Sequence, residues 1–196
     1  EYRIVNEQHV DIVSSQPIVV YRESVKGPNS HEFEGKSPNK HNKFYFIVEP
    51  MEEGVIEAIH KGDIDPDAKI KDPKALAKQL EELGVSKDQA KGVVCFKNTN
   101  VLIDTTKGIQ YLHETMELIK QSFDEAMVRG PLANEKVSGL KVMLMDAKLH
   151  EDTIHRGPAQ VIPAVRDGIY GAMCQAGRTL LEPMQKLFIS VPPDYM

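Results

Sequence analysis

Two short stretches carry the side chains best suited to chemistry. In the first, His150, Asp152, His155 and Arg156 lie close together in one polar segment. Imidazoles and a carboxylate at this spacing can ligate zinc, but zinc sites take three or four protein ligands. That gives one reading, a small metal-dependent enzyme using His150, Asp152 and His155. The second stretch holds Lys36, Lys40 and Lys43 with His41, Asn39 and Asn42, and no carboxylate. Cations interleaved with amides suit phosphate and sugar oxygens. The formal net charge is −5, and Glu49, Glu52, Glu53, Glu57 and Asp63 follow soon after. The pattern is a basic loop on an acidic body, which opposes a globally basic nucleic-acid binder but not a local patch. A solvated loop on a generic interaction domain is the plainest alternative.

Other motifs fall short of their chemistry. No Gly-x-x-x-x-Gly-Lys-Ser/Thr segment occurs, so the chain has no Walker-type phosphate cradle. His113-Glu114 lacks the second histidine of a zincin helix. Asp63, Asp65 and Asp67 alternate as in a calcium loop, but Ala68 stands where glycine is required and Lys74 where the bidentate glutamate belongs. No serine or cysteine sits in a nucleophile context. Cys95 and Cys174 are far apart beside apolar neighbours, which fits reduced thiols in a cytosolic setting. No apolar run approaches the ~20 residues of a membrane helix. Residues 1–5 have neither a basic nor an apolar leader region and no initiator Met, so the chain reads as an internal fragment.

The elements that must position these loops follow from patterning. Strands are expected within residues 2–22, and a domain boundary near Ser24. The turn signals Gly27-Pro28-Asn29 and Ser37-Pro38-Asn39 make 24–43 a long projecting loop. A strand over 44–48 and a short helix over 55–60 come next. Asp72-Pro73 pairs an N-cap with a proline at the first helical position, and Gly84 ends that helix. Residues 93–96 and 101–103 form a hairpin across Asn98-Thr99-Asn100. Ile109, Leu112, Met116, Ile119, Phe123 and Ala126 recur at three and four, predicting a helix over 109–128. A strand over 140–149 leads into the loop 150–160. Pro163 fits a helix only in its first turn, so the second long helix is expected from Gln160 or Val161 to Gly177. A last strand is expected over 185–191. The order lacks regular βαβ alternation, so the fold class is α+β, a small sheet with helices packed on one face.

Three longer segments resemble the translation elongation factor 2 family. Lys36-Ser37-Pro38-Asn39-Lys40-His41-Asn42 is similar to that family's Ser-Pro-Asn-Lys-His-Asn loop. The run from Leu149 through His155-Arg156-Gly157 to Arg166 resembles its diphthamide loop, and the stretch from Asp104 to Leu112 is similar to a third family segment. The resemblance covers nearly the whole chain in order. It implies the end of the family's third domain over 1–22, its fourth domain over 24–180, and the first strand of its fifth over 181–196. The fourth domain has the fold of ribosomal protein S5 domain 2, here a small mixed sheet. The resemblance makes His155 the diphthamide site, a histidine whose ring carbon carries a long group ending in a permanent cation. It makes Lys36, Lys40, His41, Asn42, Lys43, Asp152, Arg156 and Gly157 contacts for ribosome, tRNA or mRNA.

The implied parent is a cytoplasmic translational GTPase that drives translocation, with GTP and Mg bound outside this chain and no cofactor within it. Implied partners are the ribosomal decoding region and its RNA, tRNA, mRNA, the diphthamide-synthesis enzymes and ADP-ribosylating toxins, with no membrane. Gly157-Pro158-Ala159 stands where eukaryotic members carry three glycines, which marks an archaeal type. If the strand after the first loop neighbours the strand before the second, both loops leave one sheet edge and form a single tip.

Overall fold

The structure, a computed structural model, describes residues 20–184. Of the strands expected within 2–22, the part over 2–19 lies outside the described residues, as does the strand expected over 185–191; Val20 and Tyr21 lie in no strand. Residues Tyr21–Glu182 form one compact unit.

The described elements are β1 (Arg22–Val25), β2 (Phe33–Lys36), β3 (Lys43–Pro50), α1 (Glu53–Lys61), α2 (Pro73–Glu82), α3 (Lys87–Lys91), β4 (Val93–Lys97), β5 (Asn100–Asp104), α4 (Leu112–Val128), β6 (Leu140–Lys148), a 3-10 turn (Thr153–Arg156), α5 (Pro158–Gln175) and β7 (Arg178–Leu181). Five strands make a mixed sheet in the order β2-β3-β6-β5-β4, and β1 pairs with β7 separately. The β3–β6 pair is antiparallel, from Lys43 opposite Lys148 to Pro50 opposite Leu140. The β5–β6 pair is parallel.

Side chains alternate across a strand, so each face of the sheet has its own core. Phe44, Phe46 and Val48 of β3, with Leu140, Val142 and Leu144 of β6, pack in one core with Ile119, Phe123 and Met127 of α4 and Val161, Val165, Ile169 and Met173 of α5. The two long helices thus share one face, joined also by Ser122 Oγ donating to the Ile162 carbonyl at 2.7 Å. The short helices add a second layer. Val55 and Ala58 of α1, Ala77 and Leu80 of α2 and Ala90 of α3 join Phe96, Val101, Ile103 and Met143 in the other core. The α+β class stands, with helices on both faces of the sheet.

Three boundaries differ from expectation. The segment 24–43 holds strands, not one projecting loop. Gly35 lies in β2, where a Cβ would collide with the Ala164 carbonyl and Gly168 backbone of α5. It is a close-approach glycine within a strand. Helix α4 starts at Leu112 because Tyr111 has φ 63°, outside the helical region. Helix α5 starts at Pro158, with Pro163 inside it. Proline in a helix removes the bond to the carbonyl four residues earlier. Here that carbonyl belongs to Ala159, which is exposed to solvent. Elsewhere the expected signals act as read: Asp72 Oδ1 accepts from the N–H groups of Lys74 and Ala75 at 3.0 and 3.1 Å.

Candidate nucleic-acid interface at the sheet end

Because Lys43 opens β3 and lies opposite Lys148, which closes β6, the loops 37–42 and 149–157 emerge side by side. The first is a tight turn. Lys40 N–H donates to the Ser37 carbonyl at 2.8 Å, and Ser37 N–H to the Asn42 carbonyl at 3.0 Å. Lys40 adopts φ 64°, a strained value for a side-chain-bearing residue, and its side chain is exposed. The second loop is shaped by Asp152, whose Oδ1 accepts from Ile154 N–H at 3.0 Å and whose carbonyl accepts from His155 N–H at 3.1 Å.

Two asparagines bind the loops together. The His155 carbonyl accepts from Asn39 Nδ2 at 3.0 Å and from Asn42 Nδ2 at 2.8 Å. Asn42 Oδ1 accepts from His150 N–H at 3.0 Å, and Gln160 Oε1 from Asn39 N–H at 2.9 Å. Asn42 is fully buried. A buried amide with donor and acceptor both used fixes a geometry that an exposed one does not.

This joinery gathers three imidazoles. Ring centroids of His41 and His155 are 5.2 Å apart, of His41 and His150 5.0 Å, and of His150 and His155 4.6 Å. His41 is exposed, and His150 and His155 are half-buried. Among the described residues no group of three or more His, Cys, Asp or Glu side chains is placed to hold a metal. Asp152 Oδ1 is taken by Ile154 N–H, and His150 Nδ1 accepts from Asp152 N–H at 3.0 Å. The zinc reading therefore has no ligand set here.

The other expected contact residues divide by exposure. Lys36 and Lys40 are exposed. Lys43 is half-buried and donates to Glu34 Oε2 at 2.8 Å, an oxygen that also accepts from the Tyr45 hydroxyl at 3.0 Å. The hydrogen bond from Lys43 holds the Glu34 carboxyl below its ordinary range, and Glu34 in turn raises Lys43. Gly157 caps α5, its carbonyl accepting from Gln160 N–H at 2.9 Å and Val161 N–H at 3.1 Å. Arg156 is not at the surface. It is 5% exposed, with Nη1 and Nη2 each 3.1 Å from Glu114 Oε2 and the guanidinium carbon 4.5 Å from the Tyr111 ring centre. Arg156, expected among the contact residues, is thus buried against α4 and does not project from the loop. Asn39, Gln160, Tyr111 and Glu114 carry the loops without having been singled out as site residues. Asn39, Gln160 and Tyr111 lay inside the quoted family segments, whereas Glu114 was named only beside His113 as an incomplete zincin pair.

The fold and site define a class: an α+β domain that presents two cross-braced loops, three imidazoles and exposed lysines at one sheet end. Residues 62–177 match the family described as Elongation factor G, domain IV. Over its full length the chain is 65% identical to Elongation factor 2 of Picrophilus torridus, 60% identical to Elongation factor 2 of Thermoplasma acidophilum and 53% identical to Elongation factor 2 of Thermococcus onnurineus. It spans 26% of the length of each of these curated relatives. The chain belongs to the elongation factor G domain IV family.

Proposed function

We propose that the chain is the ribosome-engaging part of an archaeal elongation factor 2, a translational GTPase that promotes translocation of tRNA and mRNA. The domain-IV region would occupy 24–180, flanked by the end of domain III over 1–22 and the start of domain V over 181–196. GTP and Mg would bind elsewhere in the parent, since the chain has no phosphate-loop motif. A cytoplasmic setting accords with this role. Among the described residues no helix is long and apolar enough to cross a membrane.

The observation that carries the reading is the 5.2 Å approach of His41 to His155 across two loops from one sheet end. Lys36, Lys40, His41, His150 and His155 would meet ribosomal RNA, tRNA or mRNA in the decoding region. Lys43, Asn42, Asp152, Gly157 and Arg156 would hold those groups in place. His155 would be the diphthamide site, the substrate of diphthamide-synthesis enzymes and the target of ADP-ribosylating toxins. The immobilised carbonyl and half-exposed ring suit it: the backbone is fixed while the ring stays reachable. A few exposed cations on an acidic chain predict binding at this end that weakens steeply with salt.

Peptide mass spectrometry tests the modification. Protein from its native host should carry a mass increment on His155, and protein from bacteria, which lack the pathway, should not. An unmodified His155 in native material removes the diphthamide assignment.

A further inference from the structure

The stretch from Asp104 to Leu112 has no place in the function so far, yet the structure ties it to the tip. Thr105 extends β5 along β6, its N–H and Oγ1 both donating to the Leu144 carbonyl at 3.0 and 2.9 Å. Asp104 Oδ1 accepts from Thr106 N–H at 2.9 Å and Thr106 Oγ1 at 2.7 Å. The segment ends at Tyr111, held at φ 63° with its carbonyl accepting from Thr115 Oγ1 at 2.9 Å. A left-handed backbone at an aromatic residue is rare and persists where surrounding structure enforces it. It places the Tyr111 ring against Arg156 and starts α4, so that Glu114 falls in the first helical turn. A carboxylate there is favoured by the helix N-terminus.

We propose that Tyr111 and Glu114 are positioning residues for His155, acting through Arg156. The proposal rests on the reading of His155 as the modified residue. Arg156 follows His155 directly, and its guanidinium stacks on Tyr111 and donates twice to Glu114. Nη2 also donates to the Glu151 carbonyl and Thr153 Oγ1, each at 3.3 Å, so one side chain ties both halves of the turn to α4. The asparagines hold the His155 carbonyl from one side and this brace holds the turn from the other. Without it the ring keeps its chemistry but loses its fixed presentation.

The experiment uses the intact protein from its native host, in four forms: wild type, Glu114→Gln, Tyr111→Leu and Tyr111→Phe. The Glu114 side chain is 61% exposed, and the core amides report whether its replacement disturbs more than the turn. Amide exchange is read at Ile154 and His155, whose N–H groups both bond to Asp152, and at Val142 and Leu144 in the core. Glu114→Gln and Tyr111→Leu should speed exchange at Ile154 and His155 by about tenfold, as expected for losing one charge-assisted contact. Core exchange should not change, and the modified fraction of His155 should fall. Tyr111→Phe keeps the ring and should behave as wild type. Unchanged exchange in the turn, equal acceleration in turn and core, or faster exchange with full modification would each overturn the proposal. If wild type carries no increment on His155, the reading of that residue fails, while the exchange ratio still decides whether the brace exists.

Discussion

Asn42→Ala tests how the two loops are joined. The side chain is 0% exposed, donating to the His155 carbonyl at 2.8 Å and accepting from His150 N–H at 3.0 Å. The His155 carbonyl keeps its bond from Asn39, so the group left without a partner is His150 N–H. Each of these part-buried hydrogen bonds is worth about 1 kcal/mol net, and the orphaned half-buried donor adds up to roughly 1 kcal/mol, giving a loss of about 2–3 kcal/mol. Urea unfolding of the chain reads this as a lower midpoint at unchanged slope. Exchange at His150 should rise in parallel. A loss below about 1 kcal/mol would mean that Asn42 does not join the loops, because a buried amide using both ends cannot be removed so cheaply.

Lys40→Ala should change stability by less than about 0.5 kcal/mol, as exposed positions do, while weakening RNA affinity and flattening its salt dependence in a filter-binding series. The Glu34–Lys43 pair gives a pH signature. Glu34 is lowered from 4.5, so its contribution is present above that value and lost as pH falls through the folded value; Lys43 is raised from 10.5, so its contribution is lost as pH rises through the folded value. Lys43→Met should therefore flatten the acid limb of the stability profile below about pH 4.5, and an unchanged limb would contradict the pairing. Burial pushes the Cys95 thiol up to about 12, so alkylation at pH 8 should label exposed Cys174 first and leave Cys95 unreacted until the chain unfolds.

Local signals were legible where one residue decides one feature. Asp72-Pro73 capped its helix, and the stripe from Leu112 to Ala126 faced the core. The shared sheet end was legible as well, because loops that follow β6 and precede β3 must meet if those strands pair antiparallel. What the sequence hid depends on partners distant along the chain. Gly35 shows no local mark of its close approach until α5 is seen against β2. Arg156 looks like a surface cation until Glu114 and Tyr111, more than forty residues earlier, close over it. The second helical layer was missed because Val55, Ala58, Ala77 and Leu80 sit on short helices whose patterns do not say which sheet face they cover.

The central claim is that this sheet end, and not another, meets ribosomal RNA. Directed hydroxyl-radical cleavage tests it. Cys174→Ser removes the exposed thiol, and a tethered iron chelate is placed either at Lys40→Cys in the tip or at Lys136→Cys, an exposed position just before β6 begins at the other end of the sheet. The intact protein is then bound to ribosomes. Decoding-region RNA should be cleaved strongly from position 40 and not from position 136. Equal cleavage from both, or cleavage of that RNA from position 136 alone, would contradict the claim.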